Sequence, residues 1–178
     1  MTKEDRINLY RELMGKGNNV IPVETLDEMG FFTAPASANH HGNYEGGLFD
    51  HSYAVTKELL NLTKKLGLTW SHSNSPHIVG MYHDLCKCDM YVKTDSRSIE
   101  PYKYNRHCKF TGHGDKSVIL VKEHVNLTEE EELCILWHMG SFETDTSKWR
   151  GYTNAVKKYP NVLYTHTADM IASQVKDV

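Results

Sequence analysis

The sequence lacks a long uncharged apolar run, and it lacks an apolar N-terminal segment of the kind that directs secretion. A membrane-spanning helix needs about 20 consecutive apolar residues, so no transmembrane segment is predicted. Only four cysteines occur among the 178 residues, at positions 86, 88, 108 and 134. Without a secretion signal, they are expected to be free thiols in the reducing cytoplasm.

An excess of basic charge is also missing. Lys and Arg total 20 against 23 Asp and Glu, which gives a net charge of −3. A global basic field is what attracts proteins to polynucleotides and acidic membrane surfaces, so this balance weighs against a long nucleic acid or a membrane as partner. Any phosphate must therefore be recognised locally, as part of a small molecule. The sequence leaves the oligomeric state open, including a homo-oligomer.

The length suits one domain with a sizeable core, so we predict a single domain over 1–178, with N-terminal helices in 1–30 and the main body in 31–178. Apolar residues recur at helical spacing along most of it, which predicts an all-α bundle. The predicted helices are one ending near Gly15, then 22–30, 50–66, a buried central helix that starts at Ser75 and carries His83 and Asp84, then 116–125, 129–138 and 160–176.

Several local signals refine these helices. Asp115 is predicted to cap the helix that starts at Lys116, and Thr128 with Glu131 forms a capping-box pattern. The apolar positions of the last helix are predicted to be Leu163, Met170, Ile171 and Val175.

The stretch 90–112 loses the helical period. It holds Tyr91, Val92, Tyr102 and Tyr104 in short runs typical of β-strands. We therefore predict an irregular or β-hairpin insert here, lying over the site as a lid.

Histidine is the residue type in clear excess, with 11 in the chain. Four histidines and two aspartates lie on, or at the start of, predicted helices, where buried polar groups are costly unless something pairs with them. Imidazole and carboxylate ligands without thiolates suit Mn, Fe, Co, Ni or Zn ions. The candidate metal ligands are His51, His83, Asp84, His113, His138 and Asp169.

The order of these residues resembles the ligand order of the HD-domain metal-dependent phosphohydrolases, which is His, then His-Asp, then a distal Asp. Two further histidines match a subgroup of the family, and the segments 31–37 and 45–52 resemble the entry to the HD domain in small bacterial and phage proteins. The matching positions are His51, His83-Asp84 and Asp169 for the core set, and His113 and His138 for the extra pair.

This resemblance implies an HD-type bundle that holds two divalent ions, with Asp84 bridging them and acting in catalysis. It implies hydrolysis of a phosphate ester or anhydride, most plausibly in a nucleotide, in the cytoplasm of a bacterium or of a phage-infected cell.

Cationic side chains near the ligands are candidates for contact with the phosphoryl group. Lys87 lies three residues after Asp84, so its ammonium could stabilise developing charge as a catalytic group. His41 precedes the first ligand in a Gly-bearing loop, and Arg106 and Lys116 are weaker candidates. The structural alternatives are a surface salt bridge for Lys87 and a solvated loop residue for His41.

Other interpretations remain open. His166 could orient Asp169 or simply pack between helices, whereas the spacing of Cys86 and Cys88 is not that of a structural zinc pair. A similar ligand order occurs in mixed-valent diiron oxygenases related to HD proteins, and a non-catalytic nucleotide-binding module could keep a metal for structure alone.

Overall fold

The computed structural model describes residues 1–15, 19–95, 98–140 and 149–178. Within these ranges the protein is mostly helical, with one two-stranded antiparallel sheet, which confirms the predicted all-α class and its hairpin insert. The helices are α1 (Lys3–Met14), α2 (Val23–Glu28), α3 (Gly47–Leu66), α4 (Ser75–Tyr82), α5 (Gly114–Lys122), α6 (Glu129–Leu136), α7 (Trp149–Lys158) and α8 (Asn161–Met170). The strands are β1 (Tyr91–Lys93) and β2 (Tyr102–Tyr104), a 3₁₀ turn covers Leu85–Cys88, and a π-helical turn covers Ile171–Val175.

The long helix α3 lies at the centre of the bundle, where it packs against α4 and α8, while α6 packs against α5 and α8. An aromatic cluster of Tyr10, Phe31, Phe32 and Phe49, with ring centroids 5.5–5.9 Å apart, fills the core near the N-terminal helices. No helix in the described part of the chain is long and apolar enough to cross a membrane. All four cysteines are free, as predicted.

A buried hydrogen-bond network fixes the end of α4. The Tyr10 hydroxyl donates to the Ile21 carbonyl oxygen at 2.6 Å, and the Tyr82 hydroxyl accepts from the Ile21 N–H at 3.0 Å. The two hydroxyl oxygens are 2.5 Å apart. Because Tyr82 is the last residue of α4, this network ties the segment just before His83 to the N-terminal part of the chain.

Helix ends follow the sequence signals in some places and depart from them in others. Thr128 and Glu131 form the predicted capping box, and Gly67 ends α3 in the left-handed conformation. The prediction for Asp115 as an N-cap is wrong, because α5 begins at Gly114 with His113 as its N-cap residue. The Asp115 carboxylate instead accepts from the N–H groups of His113 and Lys116 at 2.8 Å each.

The central helix is shorter than predicted. It ends at Tyr82, so Asp84 lies in a turn after it rather than on the helix. In the last helix, Leu163 and Val175 were predicted to be apolar core positions, but they are 43% and 76% exposed. The buried positions of this segment lie one to a few residues away from the predicted apolar positions. They include small and polar side chains: Val162, Thr165, Ala168, Ala172 and Ser173.

Helix α4 packs closely against α3 at Gly80. A Cβ atom added there would lie 2.6 Å from Thr56 Cα and 2.7 Å from Thr56 Oγ1. We expect Gly80→Ala to lower the free energy of unfolding by about 1–3 kcal/mol, because the backbone of α3 cannot yield without loss of packing. Chemical denaturation measures this, with Lys57→Ala on the exposed face of α3 as control. Unchanged stability of Gly80→Ala would contradict the close packing.

Candidate metal centre

Asp84 lies where α4 gives way to the 3₁₀ turn. His83 still has helical backbone angles, whereas Asp84 has φ −108° and ψ 20°, and its carbonyl oxygen accepts from the Lys87 N–H at 2.9 Å. This tight turn brings the Asp84 carboxylate and the Lys87 ammonium to within 2.7 Å of each other. Asp84 is 2% exposed, so its charge is buried.

The six predicted ligands come together around this carboxylate. They are contributed by α3, the end of α4, the residue before α5, the turn after α6, and α8. Their ligand atoms form three overlapping groups, and within each group they lie within 4.8 Å of one another: His51 with His83 and Asp84, His83 with His138 and Asp169, and Asp84 with His113 and His138.

The two oxygens of Asp84 face different pairs of imidazoles. Its Oδ2 lies 3.5 Å from His51 Nε2 and 3.4 Å from His83 Nε2. Its Oδ1 lies 3.5 Å from His113 Nε2 and 3.4 Å from His138 Nε2. One carboxylate therefore stands between two sets of nitrogen ligands, which is the arrangement that a bridging ligand requires.

Three of the imidazoles are held in the tautomer that suits a metal ligand. Each places Nδ1 near a backbone carbonyl oxygen, and since a carbonyl can only accept, Nδ1 carries the proton and leaves the Nε2 lone pair directed at Asp84. These bonds join His51 to Val178 at 2.8 Å, His83 to Gly80 at 2.9 Å, and His138 to Ile135 at 2.7 Å.

The resulting cluster directs acceptor atoms at one another. His51 Nε2 lies 3.1 Å from Asp169 Oδ1, and the buried Asp84 Oδ1 has no hydrogen-bond partner among the described residues. Lone pairs facing each other at such distances repel unless a cation or a proton lies between them. The nitrogen and oxygen donor set thus fits a divalent metal ion.

His113 is held differently, through the thiol of Cys86. The distance from Cys86 Sγ to His113 Nδ1 is 3.0 Å, and burial followed by the charge of Asp84 raises the pKa of the thiol to about 12. Burial is also the main reason that the pKa of His113 falls to about 3, so the imidazole is neutral at neutral pH. From the sequence, Cys86 is expected only to be a reduced thiol, and nothing in its spacing points to this contact.

Lys87 is a buried group, in contrast to the surface salt bridge considered from the sequence. It is 9% exposed and lines the same cleft as Asp84. Burial is the largest single influence on the pKa of Lys87 and lowers it, but the charge of Asp84, its hydrogen bond to Lys87 and weaker negative neighbours together outweigh burial and raise that pKa. In turn, burial would raise the pKa of Asp84, and the charge of Lys87 helps to hold it well below its usual range. Both groups are therefore charged at neutral pH.

His41 reaches the edge of the cluster. Its ring centroid is 5.0 Å from that of His51, and its buried Nδ1 has no hydrogen-bond partner among the described residues. Burial, followed by the proximity of His51 and Lys87, lowers the pKa of His41 to about 4. The neighbouring His40 is exposed and lines the cleft.

The remaining sequence candidates lie elsewhere. Lys116 is 1% exposed, pairs with Asp89 and has its ammonium 5.4 Å from the Phe110 ring centroid. Arg106 is exposed, and neither residue lines the cleft. His166 donates from Nδ1 to the His138 carbonyl oxygen at 2.8 Å, so it supports the turn that carries His138.

The cleft over the cluster has a volume of about 1020 Å³. Asp84, Lys87, His113 and Asp169 form its polar floor. The sequence did not identify most of its wall residues, which lie in loops, on the hairpin and at the end of α8 and have no shared periodicity. These further lining residues include Ser37, Asn39, Met90, Tyr91, Tyr104, Met139 and Met170.

The chain is similar to a phosphodiesterase. It is 33% identical over 72 residues to a dihydroneopterin 2′,3′-cyclic phosphate phosphodiesterase from Methanocaldococcus jannaschii. The matched segment covers 39% of this chain and 29% of that protein, so the chain spans less than a third of the relative's length. No protein-family profile matches the chain, and no solved structure matches it.

Proposed function

We propose that this protein is a metal-dependent hydrolase of phosphate esters or anhydrides, of the HD type. The observation that carries the proposal is the Asp84 carboxylate, whose two oxygens each face a separate pair of imidazole nitrogens. Similarity to a phosphodiesterase supports hydrolysis over the diiron oxygenase alternative.

Each residue of the cluster would have a distinct part. His51, His83 and Asp169 would hold one ion, His113 and His138 would hold a second, and Asp84 would bridge both. Divalent ions held there would supply a hydroxide nucleophile at neutral pH and neutralise charge on the phosphoryl oxygens.

Two further side chains, the charged Lys87 and the polar His41, would contact the substrate itself. Lys87, charged and on the cleft floor, would stabilise the charge that develops on the phosphoryl group. His41 would contact a phosphoryl oxygen through its unpartnered ring nitrogen. Lys116 and Arg106, proposed from sequence for the same task, would need to move to reach the cleft.

The substrate would be a small phosphorylated molecule, most plausibly a nucleotide or a cyclic phosphate ester. The cleft volume of about 1020 Å³ lies at the upper end of the range for small-molecule sites, about 300–1,000 Å³, and far exceeds what a phosphate group alone would fill. The net charge of −3 fits a site that recognises phosphate locally. The relative's name specifies a 2′,3′-cyclic phosphate, so cyclic nucleotides and cyclic pterin phosphates belong among the first substrates to test.

The decisive experiment combines metal analysis of the purified protein with a hydrolysis screen under anaerobic conditions in Mn²⁺. The screen should separate products by chromatography as well as measure free phosphate, because opening a cyclic diester releases none. Hydrolysis without oxygen would support the proposal. Oxygen consumption with no hydrolysis would establish the oxygenase instead, and nucleotide binding without turnover under any metal would establish a binding module.

The second ion depends on two histidines. We expect His113→Ala and His138→Ala each to lower the metal content to about one ion per chain, because both imidazoles face the same oxygen of Asp84. Elemental analysis of the purified variants measures this, with the exposed His124→Ala as control. Unchanged stoichiometry in both cluster variants would assign these histidines to substrate contact.

A further inference from the structure

The hairpin places two tyrosines side by side at the cleft. Tyr91 of β1 pairs directly with Tyr104 of β2, and directly opposed residues of antiparallel strands project to the same face. Their ring centroids are 5.2 Å apart with an interplanar angle of 49°, and both residues line the cleft.

This pair differs from the aromatic side chains of the core. Tyr104 is 69% exposed, whereas the aromatic side chains at the centre of the core are fully buried. The residues in the pairs that follow, Val92 with Lys103 and Lys93 with Tyr102, do not line the cleft. The aromatic surface is therefore confined to the part of the hairpin that borders the cavity.

The chemistry of the cleft is divided between its floor and its wall. The floor carries Asp84, Lys87, His113 and Asp169, while the tyrosines and the thioethers of Met90 and Met139 also line the cavity. Such a division suits a ligand with an anionic end and a flat, polarisable end. Thioethers and aromatic rings adapt to a planar ring by dispersion and stacking rather than by fixed hydrogen bonds.

We propose that Tyr91 and Tyr104 form a stacking wall for a planar heteroaromatic ring of the substrate, whose phosphoryl group lies at Asp84. This inference rests on the proposed function, because it assigns the other end of the same substrate. Burial raises the pKa of the Tyr91 hydroxyl, so this phenol is neutral at neutral pH and does not repel a nearby phosphate.

Stacking of this kind tolerates different rings, since every nucleobase has a π face. Purine, pyrimidine and pterin rings share this chemistry. The wall therefore favours phosphates that carry a heteroaromatic ring over sugar phosphates that carry none.

Equilibrium binding tests the wall without requiring turnover. Titration calorimetry on the metal-loaded protein would compare AMP, GMP, neopterin monophosphate and ribose 5-phosphate, the last of which lacks the heteroaromatic ring. We expect the best ring-bearing probe to bind about 5- to 150-fold more tightly than ribose 5-phosphate, the range that corresponds to the loss of one stacked base. The ranking of neopterin monophosphate against AMP and GMP identifies the ring system.

Variants then locate the effect. Tyr104→Ala should remove most of the preference for the ring, Tyr104→Phe should keep it, and Val92→Ala on the same hairpin should change nothing. Three results would each overturn the inference. They are equal affinity for the heteroaromatic probes and ribose 5-phosphate, no binding of any heteroaromatic probe, and an unchanged preference in Tyr104→Ala. If the protein prefers the heteroaromatic probes but hydrolyses no phosphate ester, the proposed function is refuted and the stacking wall is still supported.

Discussion

Replacing Asp84 with asparagine should abolish turnover and deplete the protein of metal. The amide keeps the shape of the side chain but loses its charge, and one of its two positions becomes a nitrogen that does not bind a hard cation. Loss of a single stabilising donor costs about 10²–10³ in kcat, and because this carboxylate faces both nitrogen pairs we expect more than about 10³.

Steady-state kinetics and elemental analysis on the same preparation measure the two losses together. Asp27→Asn, at a surface carboxylate paired with Lys3, serves as a matched control. A thermal melt is needed as well, because the variant leaves the Lys87 ammonium buried without its partner. Full activity in a folded Asp84→Asn protein would refute the metal hydrolase.

Lys87→Met should lower kcat by about 10²–10³ while the metal content stays the same. Methionine keeps most of the apolar volume of the lysine stem, so the change removes mainly the charge. Because the Lys87 ammonium lies 2.7 Å from Asp84 Oδ2 and Lys87 also lines the cleft, it can face the Asp84 carboxylate and a phosphoryl group in the cleft at once.

Because Lys87 is buried, the Lys87→Met variant also tests whether this residue has a structural role. Removing one partner of a buried ion pair costs about 3–5 kcal/mol, unless another cation compensates for the remaining charge. Lys87→Met should therefore be destabilised in the metal-free protein and much less so after metal is added, with Lys122→Met as an exposed control. A parental rate with a lower melting temperature in both states would make Lys87 a structural residue only.

The sequence predicted which side chains come together better than it predicted the secondary structure that carries them. Asp84 was expected on a helix, yet it occupies a turn after α4, and α5 begins two residues earlier than predicted, at Gly114 directly after His113. Helical periodicity reports which side chains are apolar over several turns, so it cannot locate the one residue at which a helix ends. The candidate ligands do not depend on where helices end, because they are identified from the residue types and their order in the sequence.

Two parts of the C-terminal region were not predicted correctly. Helix α7 was not predicted, although Trp149, Tyr152 and Val156 recur in it at helical spacing; it is short, and of its residues only Ala155 is fully buried. The apolar stripe predicted for the last helix was wrong because that helix buries small and polar side chains such as Ala168 and Thr165, while Leu163 is exposed. The prediction that residues 1–178 form a single HD domain stays a prediction.

The cleft walls depend on tertiary structure. Tyr91 and Tyr104 become neighbours only through the strand register, and Cys86 meets His113 across 27 positions of the chain. A pattern within one segment cannot reveal such contacts.

The four histidines of the cluster fall into two groups, according to how far along the chain the partner of each Nδ1 atom lies. His83 and His138 bond to carbonyls three residues earlier, within their own helix ends, whereas His51 depends on Val178 and His113 on Cys86, both far along the chain. Heating that loosens the tertiary structure would therefore release His51 and His113 while the other two keep their local geometry. Ions bound by these side chains would act as non-covalent cross-links between segments that lie far apart in the chain, and the metal concentration would shift the melting temperature by mass action.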